Sequence, residues 1–139
     1  MTGLVYKELP IEKISHLRRQ EFINGEEQKF YSALLMSIKT YGMRDPVFIR
    51  QTKTKKGTVI LKTFVGNNRM VIAKKLGLKL IRAIVQLLDP TNNDIEGRPI
   101  NNEQEIIDLF HSKEGLLIKK KKGIIYEVMP KNPQKYGKI

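Results

Sequence analysis

The chain has 139 residues, of which 40% are hydrophobic and 29% are charged, a balance typical of one globular domain rather than a disordered segment. It contains no cysteine, which excludes a disulfide framework, a thiol nucleophile and a cysteine-ligated zinc site. Residues 1–13 show no leader pattern, and no apolar run approaches about 18 residues, so we expect a cytoplasmic protein without a membrane partner.

Positive charge is concentrated in two parts of the chain. The formal net charge is +12. Residues 44–88 carry eleven basic groups and one acidic group, a net of +10, and residues 113–139 carry eight and two, a net of +6. Between them, residues 89–112 carry one basic and six acidic groups, a net of −5. Such basic blocks attract polyanions, although a lysine-rich surface can also serve solubility alone.

The first half of the chain predicts an extended segment, a helix and a hairpin. The extended segment is Leu4–Ile14, and hydrophobic residues at helical spacing predict a helix over Gly25–Tyr41. Gly42 ends this helix, because glycine adopts the left-handed conformation easily. Alternating residues then predict strands over Val47–Gln51 and Thr58–Val65, joined by a lysine- and glycine-containing turn.

A second helix and strand complete the predicted compact part. A short helix is expected over Asn68–Leu76, followed by a strand over Lys79–Leu87. Together these elements predict an α/β fold with a small mixed sheet and helices, and a first domain over residues 1–89. We also expect a C-terminal extension over residues 90–139.

The expected extension consists of a loop, a helix and a basic hairpin. Residues 91–101 are rich in turn-forming types and predict a linker or surface loop. Asn102 with Glu105 resembles a capping box, which predicts a helix over Asn102–Ser112. The segments Leu116–Ile118 and Ile124–Met129 predict a hairpin with Lys119–Gly123 at its tip, before a poorly ordered tail.

The segment Phe64–Val85 carries the clearest chemical signal. Gly66 allows a tight turn between a strand and a helix, so that backbone amides near Asn67 and Asn68 lie at a helix N-terminus. Such amides, together with the helix dipole, favour an anion. Arg69 in the first turn can add a paired contact to a phosphate. The alternative is an ordinary strand–turn–helix with a capping asparagine.

Three motifs in order give the chain a family resemblance. Leu9–Ile14 resembles the opening strand, Leu34–Arg50 the central helix-and-strand pattern, and Gly66–Gly77 the glycine–arginine turn of the ParB/sulfiredoxin superfamily. The chain therefore resembles the N-terminal domain of that superfamily from about Val5 to Asp89. The resemblance implies phosphate or nucleotide binding, because these motifs hold CTP in partition ParB proteins and ATP phosphates in sulfiredoxins and related kinases.

Carried over to this sequence, the resemblance implies CTP or ATP with Mg²⁺ as cofactor. Asn67-Asn68 stands where ParB proteins usually have Glu-Arg, which puts CTP hydrolysis and metal coordination in doubt. The absence of cysteine excludes sulfiredoxin chemistry, and the residues after Asp89 are too few for the further domains of partition ParB. The implied phosphate- and nucleotide-binding residues are Gly66, Asn67, Asn68, Arg69, Arg50 and Arg44.

Other basic residues are candidates for contact with a nucleic-acid backbone, with solvated surface residues as the alternative. His16 lies beside two of them, whereas His111 is expected to be a cap or a surface residue, and the two histidines form no recognisable metal pattern. The nucleic-acid candidates are Arg18, Arg19, Lys74, Lys75, Lys119, Lys120, Lys121 and Lys122.

These observations leave three functional hypotheses open. The first is a small binding module for nucleic acid, DNA in particular, of a kind that the resemblance associates with phages and mobile elements. The second is a nucleotide-dependent phosphotransferase, nucleotide hydrolase or nuclease, with Glu12 or Glu21 as general base. Asp45 is the one acid of the basic block and is either catalytic or an ordinary turn residue. The third is an adaptor whose basic surface meets an acidic protein.

Overall fold

The computed structural model describes residues 2–15, 25–89, 96–111 and 115–131. Eight strands and three α-helices lie in these ranges, with a single 3-10 turn at Ile11–Lys13. The strands and helices, in chain order, are β1 (Leu4–Pro10), β2 (Ile14–Ser15), α1 (Gly25–Tyr41), β3 (Val47–Lys53), β4 (Val59–Val65), α2 (Asn67–Lys75), β5 (Leu80–Gln86), β6 (Arg98–Pro99), α3 (Glu103–Asp108), β7 (Leu116–Lys121) and β8 (Ile124–Pro130).

Six strands form one mixed sheet in the order β2-β4-β3-β5-β1-β6. The hairpin strands β3 and β4 are antiparallel, whereas β3 and β5 are parallel and are connected through β4 and α2. Strand β1 runs antiparallel to β5 and also pairs with the short β6. The structure thus confirms the predicted α/β fold class with a small mixed sheet.

One face of this sheet is covered by α2. Side chains alternate along a strand, so Val47 and Ile49 of β3 face the same way and pack with Met70 and Ala73 of α2. The helix α1 packs on α2 through a buried hydrophobic cluster in which Leu34 is fully buried. None of the helices in the described ranges is both long and apolar enough to cross a membrane.

The opposite face of the sheet is covered by the C-terminal residues. Phe48 of β3 and Ile84 of β5 form a buried cluster with Ile106 of α3 and Val128 of β8. Phe110 stacks on Phe48 with ring centroids 5.3 Å apart. The segments on either side of residue 89 therefore share one hydrophobic core.

Several predicted elements have different bounds in the structure. The predicted loop 91–101 contains β6, which pairs with β1, while residues 90–95 lie outside the described ranges. Asn102 caps α3 as predicted, since its Oδ1 accepts a hydrogen bond from Glu105 N at 3.0 Å, but α3 ends at Asp108. The expected tail after Pro130 lies outside the described residues except for Lys131.

The C-terminal hairpin has a shorter tip than predicted. Strand β7 continues through Lys121, so that only Lys122 and Gly123 form the turn. Both have positive φ, 52° and 79°, the combination that a two-residue turn needs to match the twist of its strands. The prediction that Lys119–Gly123 form the tip is wrong, because three of the four lysines pair with β8.

Candidate functional site

The turn into α2 begins at a glycine in the left-handed conformation. Gly66 has φ +104°, and its carbonyl accepts the first intrahelical bond from Met70 N at 3.0 Å. A Cβ at Gly66 would lie 3.2 Å from Val47 Cγ1, so glycine also allows close packing on β3. The first N–H groups of a helix have no intrahelical acceptor, and in α2 these include the N–H groups of Asn67 and Asn68.

Two buried polar atoms accompany the turn. Asn68 Oδ1 and Thr63 Oγ1 are shielded from solvent and have no hydrogen-bond partner among the described residues. Thr63 is 2% exposed and lies on β4, two residues before Val65. Buried polar atoms are nearly always hydrogen-bonded, so Asn68 Oδ1 can accept a hydrogen bond from a water molecule or another donor, and Thr63 Oγ1 can donate or accept one.

Arg69 occupies a different environment from the one expected for a phosphate contact. Its side chain is only 1% exposed, and its Nη2 donates a hydrogen bond to the carbonyl oxygen of Asp45 at 2.9 Å. Arg69 precedes Ile72 and Ala73 by three and four residues, so it lies on the buried face of α2. Arg69 therefore links α2 to the turn before β3.

That turn is held by a second arginine and by the C-terminal segment. Arg82 Nη2 of β5 donates to the carbonyl oxygens of Met43 and Arg44 at 2.5 and 2.6 Å. Asp45 is 2% exposed, and its Oδ1 accepts a hydrogen bond from the backbone of His111 at 2.5 Å. Asp45 therefore has a structural role: it joins α2 to the residues that follow α3.

Of the other two candidate arginines, one lies in the turn before β3 and the other on β3 itself. Arg44 is exposed, and its guanidinium lies 5.1 Å from the centre of the Tyr41 ring. Arg50 shares the sheet face of Phe48, opposite the face that α2 covers. Its guanidinium lies 4.5 Å from the Phe64 ring centre and forms an ion pair with Glu127. Arg50 and the α2 turn therefore do not form one site.

The lysines of the C-terminal hairpin have different partners. Lys119 Nζ lies 2.9 Å from Glu127 Oε2, and this hydrogen bond and the negative charge of Glu127 raise the pKa of Lys119. Lys120 Nζ lies 3.7 Å from Glu103, with both side chains more than half exposed. Lys121 and Lys122 are exposed at the end of the hairpin.

The remaining candidates are scattered or lie outside the described residues. Lys74 and Lys75 are exposed in the last turn of α2, and Lys75 Nζ lies 5.6 Å from the Tyr31 ring centre. Glu12 is exposed in the 3-10 turn. Within the described ranges, no group of three or more metal-ligating side chains occurs. The candidates outside these ranges are His16, Arg18, Arg19 and Glu21.

Glu127 is the residue that sequence reasoning missed. It is buried to 8% exposure and contacts cations from β3 and β7. The sequence contains a signal for it, because Glu127 is the one acid between Lys119 and Lys131. An isolated acid in a basic hairpin indicates a counterion.

Comparisons with known proteins identify related chains. The model of the ParB N-terminal domain family matches residues 2–102. The chain is similar to sulfiredoxin from Arabidopsis thaliana, with 28% identity over 59% of this chain and 84% of that chain and a TM-score of 0.45. No curated protein matches the chain.

Two structures of the C-terminally truncated chromosome-partitioning protein ParB from Caulobacter crescentus are also similar. The complex with CTP-gamma-S has 26% identity over 60% of this chain and 45% of that chain, with a TM-score of 0.44. The complex with the centromeric parS site has 25% identity over 60% and 41%, with a TM-score of 0.43. This chain thus spans less than half of those ParB chains. Because the family model covers most of its length, the chain belongs to the ParB N-terminal domain family.

Proposed function

We propose that this chain is a nucleic-acid-associated binding module in which the turn from Gly66 to Asn68 holds a phosphate. The left-handed Gly66 at the start of α2, where the first helical N–H groups have no intrahelical acceptor, is the observation that supports this most directly. The phosphate comes from a nucleotide, CTP or ATP, or from a nucleic-acid backbone. Membership of the ParB N-terminal domain family supports the same class of ligand.

Arg69 has a positioning role in this proposal rather than a contact role. Its bond to the Asp45 carbonyl fixes α2 against the turn before β3, which sets the direction of the first helical amides. The anion is then bound by backbone N–H groups and the helix dipole. With a nucleotide, Mg²⁺ would be held largely by the phosphates, as is usual for this ion.

The basic surface supplies the affinity for nucleic acid. Residues 44–88 carry a net charge of +10, and the exposed lysines of the hairpin turn between β3 and β4 belong to this block. Contacts between lysine or arginine and phosphates release counterions, so binding weakens steeply as salt rises. We expect duplex DNA to bind with this salt dependence.

Asn68→Asp is expected to weaken nucleotide binding at least tenfold. A carboxylate in the first turn repels phosphate. Because Asn68 Oδ1 is buried, the new charge also costs stability, which its interaction with the helix dipole offsets only in part. Calorimetric titration with CTP and ATP, and with inorganic pyrophosphate as the minimal ligand, measures the effect.

Asn101→Asp is the matched control, because it adds the same charge just before α3 and away from the α2 turn. We expect it to change nucleotide affinity less than about twofold. Equal losses in the two variants would contradict a site at the α2 turn. Consumption of the nucleotide in these mixtures, or cutting of DNA in a parallel incubation with Mg²⁺, would instead support the enzymatic alternative, with Glu12 and Glu21 as the bases to replace.

A further inference from the structure

Glu127 is a buried carboxylate that holds cations from two separate elements. Its Oε1 accepts a hydrogen bond from Arg50 Nη2 on β3, and its Oε2 lies 2.9 Å from Lys119 Nζ on β7. The Glu127 side chain is 10% exposed, whereas both cationic side chains are 44% exposed. The carboxylate therefore lies beneath the surface, and the cations form the part that a large ligand can reach.

Lys62 is a third cation, which lies next to Arg50. It lies directly opposite Arg50 in the antiparallel register of β3 and β4, so both side chains project from one face of the sheet. Two like charges at facing positions destabilise a strand pair unless a counterion is near. We name Arg50, Lys62, Lys119 and Glu127 the Glu127 cluster; its three positive charges and one negative charge leave a net of +2.

The guanidinium of Arg50 is held in place before any ligand arrives. It lies over the Phe64 ring, 4.5 Å from the centre, and is bonded to Glu127. A planar guanidinium that is already oriented loses little conformational freedom when it binds an oxyanion. Phosphate oxygens and carboxylate oxygens also use the same donor geometry on arginine. A phosphate group can therefore take over donors that Glu127 now occupies.

We propose that the Glu127 cluster contacts the phosphate backbone of a nucleic acid and that Glu127 limits this affinity by competing for Arg50 and Lys119. The proposal rests on the proposed nucleic-acid binding and adds a contact surface on the sheet face opposite α2. A nucleic acid fits better than an acidic protein. Arg50 and Lys62 lie on the neighbouring strands β3 and β4, and Lys119 shares Glu127 with Arg50, so the three cations can meet successive phosphates of one backbone.

Glu127→Gln tests the competition directly. The amide keeps the size of the side chain but removes the negative charge, so Arg50 and Lys119 become available to phosphates. For a short mixed-sequence DNA duplex and its single strands, we expect about three- to tenfold tighter binding at low salt and a log–log salt slope steeper by about one. Fluorescence anisotropy across a salt series measures both quantities.

Glu103→Gln is the matched control for net charge. Glu103 also pairs with a lysine of the hairpin, but at 3.7 Å and with its side chain 52% exposed, so this pair is already loosely held. We expect the DNA affinity of the Glu103→Gln variant to stay within about twofold of that of the wild type. Equal gains in both variants would overturn the proposal in favour of a general charge effect. Binding by neither the wild type nor Glu127→Gln would overturn the nucleic-acid function as well.

Lysine acetylation of the wild-type protein tests the same surface without any substitution. With DNA present, we expect Lys62 and Lys119 to be protected from acetylation, as read by mass spectrometry of peptides. Lys39, exposed near the end of α1, serves as the internal reference because the proposal gives it no contact. Protection that omits Lys62 and Lys119 would contradict the proposal even if Glu127→Gln failed to fold.

Discussion

A chain that ends at Asp89 is expected to lose cooperative folding. The first 89 residues contain the three motifs of the family resemblance and five of the six strands of the main sheet. One face of that sheet, however, is buried only by residues that follow. Leu4, Phe48 and Ile84 have exposures of 1% or less in the cluster with α3 and the C-terminal hairpin, and Val65 has 7%.

The size of this loss follows from the buried apolar surface. Exposing a buried aliphatic or aromatic side chain costs about 1.5–3 kcal/mol, so these four residues together contribute about 6–12 kcal/mol. The whole stability of a domain is about 5–15 kcal/mol. Removal of the covering residues therefore removes most of the margin by which the sheet folds.

Thermal unfolding followed by circular dichroism measures this loss. We expect no cooperative transition for residues 1–89. A chain that ends at Lys131 is the control, because it keeps every residue of the shared core, and we expect it to melt as the full chain does. A sharp transition for residues 1–89 near that of the full chain would show that the expected division into 1–89 and 90–139 is a true domain boundary.

Arg69→Ala is expected to destabilise the protein by about 3–5 kcal/mol. Arg69 is among the largest fully buried side chains, so its truncation leaves a cavity, for which losses of this order are common. The substitution also leaves the Asp45 carbonyl without the bond from Nη2, which adds the desolvation cost of a buried acceptor. Chemical denaturation gives the free energy of unfolding.

Lys74→Ala is the control for this prediction. It removes the same charge from the same helix at an exposed position, and we expect a change within about 0.5 kcal/mol. If Arg69→Ala kept its stability and lost only nucleotide binding, Arg69 would be a phosphate contact, as the sequence suggested. The two measurements together separate a contact role from a positioning role.

The local elements of the fold could be predicted from local signals. The helix α1 has its predicted bounds, Gly66 forms the predicted turn between a strand and α2, and the Asn102 cap forms the expected bond. Each depends on residues within a few positions of one another. The burial of Arg69 also had a local signal, because it lies three and four residues before Ile72 and Ala73 on one helical face.

The long-range contacts could not be predicted in this way. Alternation shows that Phe48 and Arg50 share a face of β3, but it does not show which face α2 covers. The ion pair between Arg50 and Glu127 joins residues 77 positions apart. Such a contact depends on how the C-terminal hairpin packs against the sheet, which neither charge nor periodicity specifies. For this reason the sequence groups Arg50 with the α2 turn, although Arg50 projects from the sheet face opposite α2.

Amide chemical shifts during a titration with CTP test the proposed phosphate site most directly. With ¹⁵N-labelled protein, the account predicts saturable shifts of the Gly66, Asn67 and Asn68 amides, whose N–H groups would face the bound phosphate. It predicts smaller shifts at Lys121 and Lys122. Binding that leaves the three turn amides unchanged while it shifts residues of the C-terminal hairpin would contradict the account.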